Sequence, residues 1–529
     1  MKSEFRIPNS EGNPNSEIRT GSRILQYFRI SAFGFRISSA APAALFTSLL
    51  LAAVLAGCAV GPNYERPATD SSGTFRRAAS DTTTAAGTNS LGDLGWWDAY
   101  DDQQLKTYIA EALTNSWDIK IAAARVLQAE ASLHITRSQF MPTVNAGGDI
   151  NTTRTSERGP TSIPTGVNPQ QGFGDVFLSM PAYEVDLWGR IRRANEAARA
   201  RLLATVDAQR AVRQTLVAQV AATYLQLLEL DIELEIGRNS YASRTNSLEL
   251  TASREAGGVA SMQDVYQARI LVATAEASIA NTLRQIEQTE NLLNLLLGRN
   301  PGPIERGVPL IDQKLRANVP PGLPSSLLER RPDIRAAEQD LVAANADIGQ
   351  AKAAFFPKVT LTGFYGYQTV ALSDLFTGPA RAWQFGPAVT LPLFTGGRLR
   401  GELKLAQARF EESLAFYQRT VQGAFRDVSD ALIAYQRSQE FYARQLELTQ
   451  ANRDAAKLAT IRYEGGVTSY LEVLYNEQQL FDAELILAAA RRDEFLSVVQ
   501  LYQALGGGWS EPPNAEAGTG KPNEPRTNP

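Results

Sequence analysis

The stretch Glu464-Gly465-Gly466-Val467-Thr468-Ser469-Tyr470-Leu471-Glu472-Val473 decides the fold, because a near-copy lies 208 residues upstream: Ala256-Gly257-Gly258-Val259-Ala260-Ser261-Met262-Gln263-Asp264-Val265. The same offset of 208 pairs Gly189-Arg190-Ile191-Arg192 with Gly397-Arg398-Leu399-Arg400, and Leu297-Gly298 with Leu505-Gly506. One spacing that holds over so long a span means two copies of one unit, with no insertion between the matched points. Each Gly-Gly pair breaks a long proline-free segment: there is no proline from Tyr183 to Asn300, and none from Leu393 to Glu511. Each unit is therefore expected to be built around a helical hairpin, with the glycines supplying the positive φ that a tight turn needs.

Helix lengths sharpen this picture. Residues 190–256 contain a single glycine, Gly237, and would form a helix of about 100 Å at ~1.5 Å per residue. Residues 259–297 predict a second of about 60 Å, and residues 116–139 one of roughly 36 Å. The two shorter helices, stacked end to end, nearly match the long one. The second unit repeats the sum, with residues 333–355 and 467–505 beside 398–464. Apolar Val217, Val220, Tyr224 and Leu227 follow helical spacing, flanked by a second set at Leu225, Leu228 and Ile232. Two apolar stripes imply neighbours on both flanks, as in a cylinder wall. A solid bundle or rod of long helices is the alternative.

Short alternating segments precede each hairpin. Val144, Ala146 and Ile150 alternate with Asn145, Asp149 and Asn151; Val176, Leu178, Met180 and Ala182 resume the period after a Gly/Pro/Thr/Ser-rich loop, with a bulge expected at Pro181. In the second unit Val359, Leu361, Tyr365 and Tyr367 form one such run, and Trp383, Phe385, Val389, Leu391 and Leu393 another. Alternation over roughly ten residues with aromatics at the ends matches transmembrane barrel strands, although a soluble two-layer sheet reads the same strand by strand. Four strands cannot close a pore, since small barrels need about eight. An open edge in lipid would leave backbone groups unpaired, so a membrane-spanning sheet of this kind requires several chains.

Composition narrows the function. Of the 529 residues, 20% are charged and 44% apolar, and the net charge is −4. Residues 1–57 carry a net +3, which leaves −7 on the remainder. Nucleic-acid binding, which needs a basic face, is not expected. One cysteine and one histidine exclude a disulfide framework within the chain and argue against a Cys/His metal site. His134 lies in a helical pattern and reads as a helix-surface residue. No catalytic constellation and no cofactor are expected. Residues 43–56 are uncharged, mostly apolar and too short for an ordinary membrane span, as in a signal peptide. They end in Leu55-Ala56-Gly57-Cys58, similar to the lipobox of bacterial lipoproteins, where small residues precede the cut and the thiol carries lipid. Cys58 is thus the candidate lipidation (palmitate) site. Ala59, rather than Asp, follows it, which by similarity to bacterial sorting signals points to the outer membrane. The leader exceeds the usual roughly 15–30 residues, and an over-extended gene start is expected.

Several motifs together resemble the outer membrane factors of Gram-negative tripartite export systems, the TolC-like and NodT-type efflux lipoproteins. They are Cys58 to Tyr64, Leu187-Trp188-Gly189-Arg190-Ile191, Val319-Pro320-Pro321-Gly322-Leu323-Pro324-Ser325, Leu327-Leu328-Glu329-Arg330-Arg331-Pro332-Asp333-Ile334, Arg462-Tyr463-Glu464-Gly465-Gly466-Val467 and Ala504-Leu505-Gly506-Gly507-Gly508-Trp509. The resemblance covers about residues 58–509. It implies a mainly α fold with a small β part: a homotrimer whose four strands per chain make a twelve-stranded outer-membrane barrel on a coiled-coil α-helical barrel crossing the periplasm. Partners would be outer-membrane lipid, a periplasmic adaptor (membrane fusion protein) and an inner-membrane pump of the RND or ABC type. The implied function is passive efflux of small toxic compounds, with a type I secretion exit duct or a non-conducting structural lipoprotein as alternatives.

On this basis residues 1–57 are a signal region, 58–95 a lipidated tether and 96–300 the first repeat (β-hairpin about 143–187, helical hairpin about 189–298). Residues 301–324 are a linker, 325–509 the second repeat (β-hairpin about 358–394, helical hairpin about 397–506) and 510–529 a disordered tail. Gly257, Gly258, Val259, Gly465, Gly466 and Val467 fall at the periplasmic tip as adaptor-docking turns. Gate residues follow by motif position. Arg462 and Tyr463 would clasp Asp264 of the neighbouring hairpin, and Leu471 would narrow the tip. Tyr475 stands where the most similar family members carry Asp, with Glu472 as the substitute acid.

Overall fold

The structure, a computed structural model, describes residues 59–68, 91, 95, 97, 101–160, 163–164, 166–314 and 327–509. Cys58, the leader, most of the tether, the Val319–Ser325 motif and the tail lie outside the described residues. Among the described residues, seven helices and four strands build the wall and the sheet. They are α1 Gln103–Asn115, α2 Trp117–Arg137, β1 Asn145–Arg154, β2 Gln170–Val185, α3 Arg190–Ala256, α4 Met262–Leu297, α5 Pro332–Ala353, β3 Lys358–Thr369, β4 Arg381–Thr390, α6 Arg398–Glu464 and α7 Tyr470–Ala504.

The offset of 208 has a backbone origin. Gly189 and Gly397, which precede α3 and α6, have φ of 78° and 86°. Gly258 and Gly466 in the turns have 72° and 71°, and Gly298 and Gly506 after α4 and α7 have 75° and 85°. Each unit thus enters, reverses and leaves its hairpin through a left-handed residue, a conformation glycine adopts without a Cβ clash.

The wall is built from staves. On one flank α3 packs against α2 and α4; on the other it packs against α5 and α7, which in turn pack against α6. The short helices therefore share the length of a long one, as the length matching predicts. The last-turn carbonyl of α7 even meets the first turn of α5: the Arg331 guanidinium donates to Ala504 O at 3.3 Å and to Asp333 at 2.7 Å. The main core lies mid-wall, where Val217, Val220, Tyr224, Leu227 and Leu228 of α3 meet Tyr108 and Ile109 of α1, Leu293 and Leu297 of α4, Val428 of α6 and Leu501 of α7. Nearer the sheet the contact is close and small: Ala197 and Ala200 of α3 against Ala343 and Ala346 of α5.

No helix is expected from the sequence before residue 116. In the structure α1 is one, capped by Asp102, whose carboxylate accepts from Gln104 N at 2.8 Å and Leu105 N at 3.3 Å. At 13 residues it is short, and its apolar face becomes evident only against α3.

The strands form one antiparallel sheet in the order β1-β2-β3-β4, so β2 pairs with β3 across the two repeats and β1 and β4 remain open edges. The register puts Ile150, Val176, Leu178, Tyr365, Tyr367, Trp383 and Phe385 on one face, and Asp149, Asp175, Gln368 and Gln384 on the other. A bulge between Met180 and Tyr183 surrounds Pro181, which has no N–H for the ladder. Leu391 and Leu393 were expected to continue the last strand, but β4 stops at Thr390, two residues before Pro392, which has no N–H to extend it. Among the described residues no helix is long and apolar enough to cross a membrane.

Residues 59–66 run along α5. Val60 N donates to Trp188 O at 3.0 Å, and Asn345 Nδ2 donates to Pro62 O at 3.1 Å. The Arg66 guanidinium grips Glu338 with two bonds of 2.6 Å. A Cβ on Gly61 would lie 2.5 Å from Gly349 Cα, so the strand-like segment can lie this close only as glycine. This strap fixes Ala59, the neighbour of Cys58 in the chain, at the foot of the sheet beside Gly189.

Candidate functional site: the hairpin tips and the open edges

Both tips end in the same helix stop. Val259 N donates to Arg254 O and Val467 N to Arg462 O, each at 2.9 Å; Gly258 N donates to Glu255 O at 2.8 Å and Gly466 N to Tyr463 O at 2.9 Å. This paired bonding, with a left-handed glycine after the helix, is the Schellman arrangement, and it uses up last-turn carbonyls that would otherwise face solvent alone. It leaves Val259 and Val467 at the apex, 76% and 71% exposed. One and two turns up α7, Leu471 and Tyr475 are 63% and 65% exposed. Four residues apart, they share a helix face.

The two return helices begin differently. Asp264 closes a capping box with Ser261: Ser261 N donates to its carboxylate at 2.9 Å, and Asp264 N donates to Ser261 Oγ at 3.2 Å. Ser469, the equivalent of Ser261, makes no side-chain cap. Glu472, the repeat equivalent of Asp264, accepts instead from Thr468 Oγ1 and pairs with Arg462 at 3.2 Å. The clasp expected between Arg462, Tyr463 and Asp264 is therefore not assembled within the chain. Arg462 is held on its own hairpin by Glu472, while Asp264 holds the first turn of α4. Tyr463 is buried against Tyr470, ring centres 5.3 Å apart, and its hydroxyl has no hydrogen-bond partner.

Arg254, which sequence reasoning passed over, joins the tips. It donates from Nη1 to Tyr463 O at 3.0 Å and from Nη2 to Glu464 O at 3.4 Å, and its guanidinium lies 4.5 Å above the Tyr463 ring. The signal was present in the repeat, because Arg254 precedes Arg462 by the same 208 residues.

Higher up, the seam between α3 and α7 is polar. Arg244 donates to Gln478 Oε1 and to Leu271 O, both at 3.1 Å, and lies 4.9 Å from the Phe481 ring. Burial pushes the neighbouring Glu477 carboxyl upward in pKa, with Arg244 and the Ser243 and Ser247 hydroxyls opposing. Near the main core Arg492 of α7 donates to Glu229 of α3 at 3.1 Å. Burial nevertheless raises Glu229 to about 7.

The edges of the wall are as informative as its tips. Along α6, Leu405, Phe416, Phe441, Leu448, Leu458 and Ile461 are about half exposed or more. On the opposite edge Leu127, Ile135, Ile270 and Leu295 of α2 and α4 are 63–71% exposed. Both helical edges are thus open and apolar, and both sheet edges, β1 and β4, are unpaired, at opposite ends of one stave order.

Comparison with known proteins decides the family. A family model described as outer membrane efflux protein matches residues 108–299 and 323–507. The chain belongs to the outer membrane efflux protein family. It is 37% identical over 473 residues to the outer membrane protein OprJ of Pseudomonas aeruginosa, spanning 89% of this chain and 97% of that protein. It is 38% identical to the toluene efflux pump outer membrane protein TtgF of Pseudomonas putida, spanning 88% and 97%. Its fold matches the open state of the MtrE outer membrane channel of Neisseria gonorrhoeae with a TM-score of 0.75 at 31% identity, covering 85% of this chain and 99% of that one. Membership makes this an outer-membrane efflux protein, a transport channel whose long helices reach into the periplasm.

Proposed function

We propose that the protein is a passive trimeric duct that carries small toxic compounds, apolar solvents and drugs among them, from a periplasmic adaptor and an inner-membrane pump to the exterior. The single observation that carries this reading is the pair of open edges. A copy whose α2/α4 edge meets the α6 edge of the next buries both apolar stripes, and the same rotation brings β1 of one sheet beside β4 of the next. Three copies close a twelve-stranded barrel with the apolar face of the sheet toward lipid and Asp149, Asp175 and Gln368 toward the lumen. Efflux is favoured over protein secretion because relatives such as TtgF are named for toluene efflux. The duct itself performs no chemistry and holds no cofactor; the pump supplies the energy.

In this reading Cys58 carries the lipid, and the strap that fixes Ala59 at the foot of the sheet sets the anchor at the membrane surface. The exposed Val259, Val467, Leu471 and Tyr475 at the tip supply apolar surface for the adaptor, with an RND-type or ABC-type pump behind it. Single-channel recording in planar bilayers tests the duct: discrete conductance steps from a purified trimer are expected, and their absence from a correctly assembled protein would refute it. A photo-crosslinking residue at Ser261 or Ser469 tests the docking. Capture of the adaptor of a proton-driven pump is expected; an adaptor from a protein exporter would move the assignment to secretion.

A further inference from the structure

We propose that Arg254 is a gate residue: it latches the end of α6 to the end of α3 within each protomer, and the tip widens when that latch lets go. The inference rests on the duct reading above. It starts from chemistry at a helix end. The last carbonyls of α6 carry the negative end of its dipole, and Tyr463 O, although it already accepts from Gly466 N, keeps a second lone pair. Arg254 supplies two guanidinium donors to two of them, Tyr463 O and Glu464 O, and stacks on the Tyr463 ring. Charge-assisted bonds of this kind are about twice as strong as neutral ones, and the planar fork makes them specific to arginine. Among the described residues no carboxylate pairs with Arg254, so nothing on its own hairpin competes for it.

The repeat explains why the position matters. Arg462 occupies the same place on α6, in the same turn, before the same glycines. It does not reach across; Glu472 holds it on its own hairpin. One chemical device is thus present twice, engaged at one joint and parked at the other. In a ring where the two hairpins alternate, the joint inside a protomer is fastened by Arg254 and the joint between protomers is not fastened by Arg462. The tip then opens first between protomers, with each pair of hairpins moving as a unit, and full widening requires release of Arg254.

Single-channel recording of purified full-length trimer in planar bilayers tests the latch, with wild type, Arg254→Ala and Arg254→Lys side by side. Loss of the latch is expected to raise open-state occupancy about tenfold in the Ala variant, with Lys intermediate because it keeps the charge but not the fork. Trimer melting should be unchanged, which a merely structural residue would not allow. An Ala variant that assembles and gates like wild type overturns the proposal. If the Ala variant fails to assemble, the Lys variant decides: intermediate gating supports the latch, and wild-type gating overturns it. A wild type that stays closed while the Ala variant conducts supports both the latch and the duct. Silence from all three assembled proteins overturns the duct reading, and the latch falls with it.

Discussion

Helices α3 and α6 have the same length, 67 residues each, and descend from the same half of the repeat. Their surroundings differ. α3 buries 23 of its residues and α6 only 13. At equivalent positions α3 carries Glu233, Ser240 and Ser253, where α6 carries Phe441, Leu448 and Ile461. All three of those α6 side chains are about half exposed. A helix flanked on both sides within one chain has its apolar stripes covered. A helix at the edge keeps an apolar stripe that only another molecule can cover. The repeat fixes the length and geometry of the wall, while the departures from repeat symmetry leave an apolar stripe exposed along α6.

The largest effect should come from erasing that difference. The triple variant Phe441→Glu, Leu448→Ser, Ile461→Ser gives α6 the residues of α3. Burying a large apolar side chain contributes roughly 1.5–3 kcal/mol, and a trimer has three such joints. Trimers are expected to be lost, with helix content retained, as read by sedimentation in detergent together with circular dichroism. A variant that stays trimeric would show that the α6 stripe is not the joint. Val220 and its repeat partner Val428 sharpen the comparison from the other side, since both are 0% exposed in the same core. Replacing either with Ala should lower stability by about 1–3 kcal/mol and leave assembly intact. An effect at Val220 alone would mean that α6 contributes little to the mid-wall core.

A smaller effect separates the two seams of α3 by pH. Glu229 faces Arg492 across the α3–α7 seam and Glu233 on its own helix, and burial, the leading cause, raises its pKa to about 7. The folded state therefore holds the Glu229 proton at pH values where the unfolded chain, titrating near the ordinary value of 4.5, has lost it. Its contribution is fully present below the unfolded pKa and falls as pH rises toward about 7, by up to about 1.4 kcal/mol per unit. Glu229→Gln should remove that slope. Melting of wild type and variant between pH 4.5 and 8 checks it: the variant gains relative stability as pH rises, and parallel curves would mean that Glu229 is ionised throughout.

Most of the wall was legible because its grammar is local. Proline-free length, positive-φ glycines at a fixed offset and doubled apolar stripes specify α3, α4, α6 and α7 to within a few residues, since a helix records its neighbours in its own periodicity. The strands were legible in their alternation, and the bulge in Pro181. The tips were legible only as turns. Which partner Arg462, Tyr463 and Asp264 take depends on how two hairpins lie side by side and on a one-methylene difference in side-chain length: Asp264 bonds back to Ser261, whereas Glu472 reaches Arg462. Arg254 was passed over because its partners are backbone carbonyls, which have no sequence signature.

The smallest expected effect probes that one-methylene difference. Asp264→Ala removes the capping box, a loss of about 1 kcal/mol confined to the first turn of α4. Hydrogen exchange at its first amides should speed up severalfold, with gating nearly unchanged. Glu472→Ala removes a half-exposed ion pair, worth within about 1 kcal/mol, and the bond from the Thr468 hydroxyl, but no capping box, because Ser469 makes no cap there. Its consequence is functional. Arg462, no longer parked, becomes free to reach the helix end of the next protomer's first hairpin as Arg254 reaches α6 in its own. A modest fall in open-state occupancy is therefore expected. The two acids occupy one slot in the repeat, yet removing them should act in different currencies, local helix stability for Asp264 and gating for Glu472. If Asp264→Ala instead raised leak to large antibiotics as strongly as Arg254→Ala, the acid would be working between chains, and the parked state of Arg462 would be only one of two positions it takes.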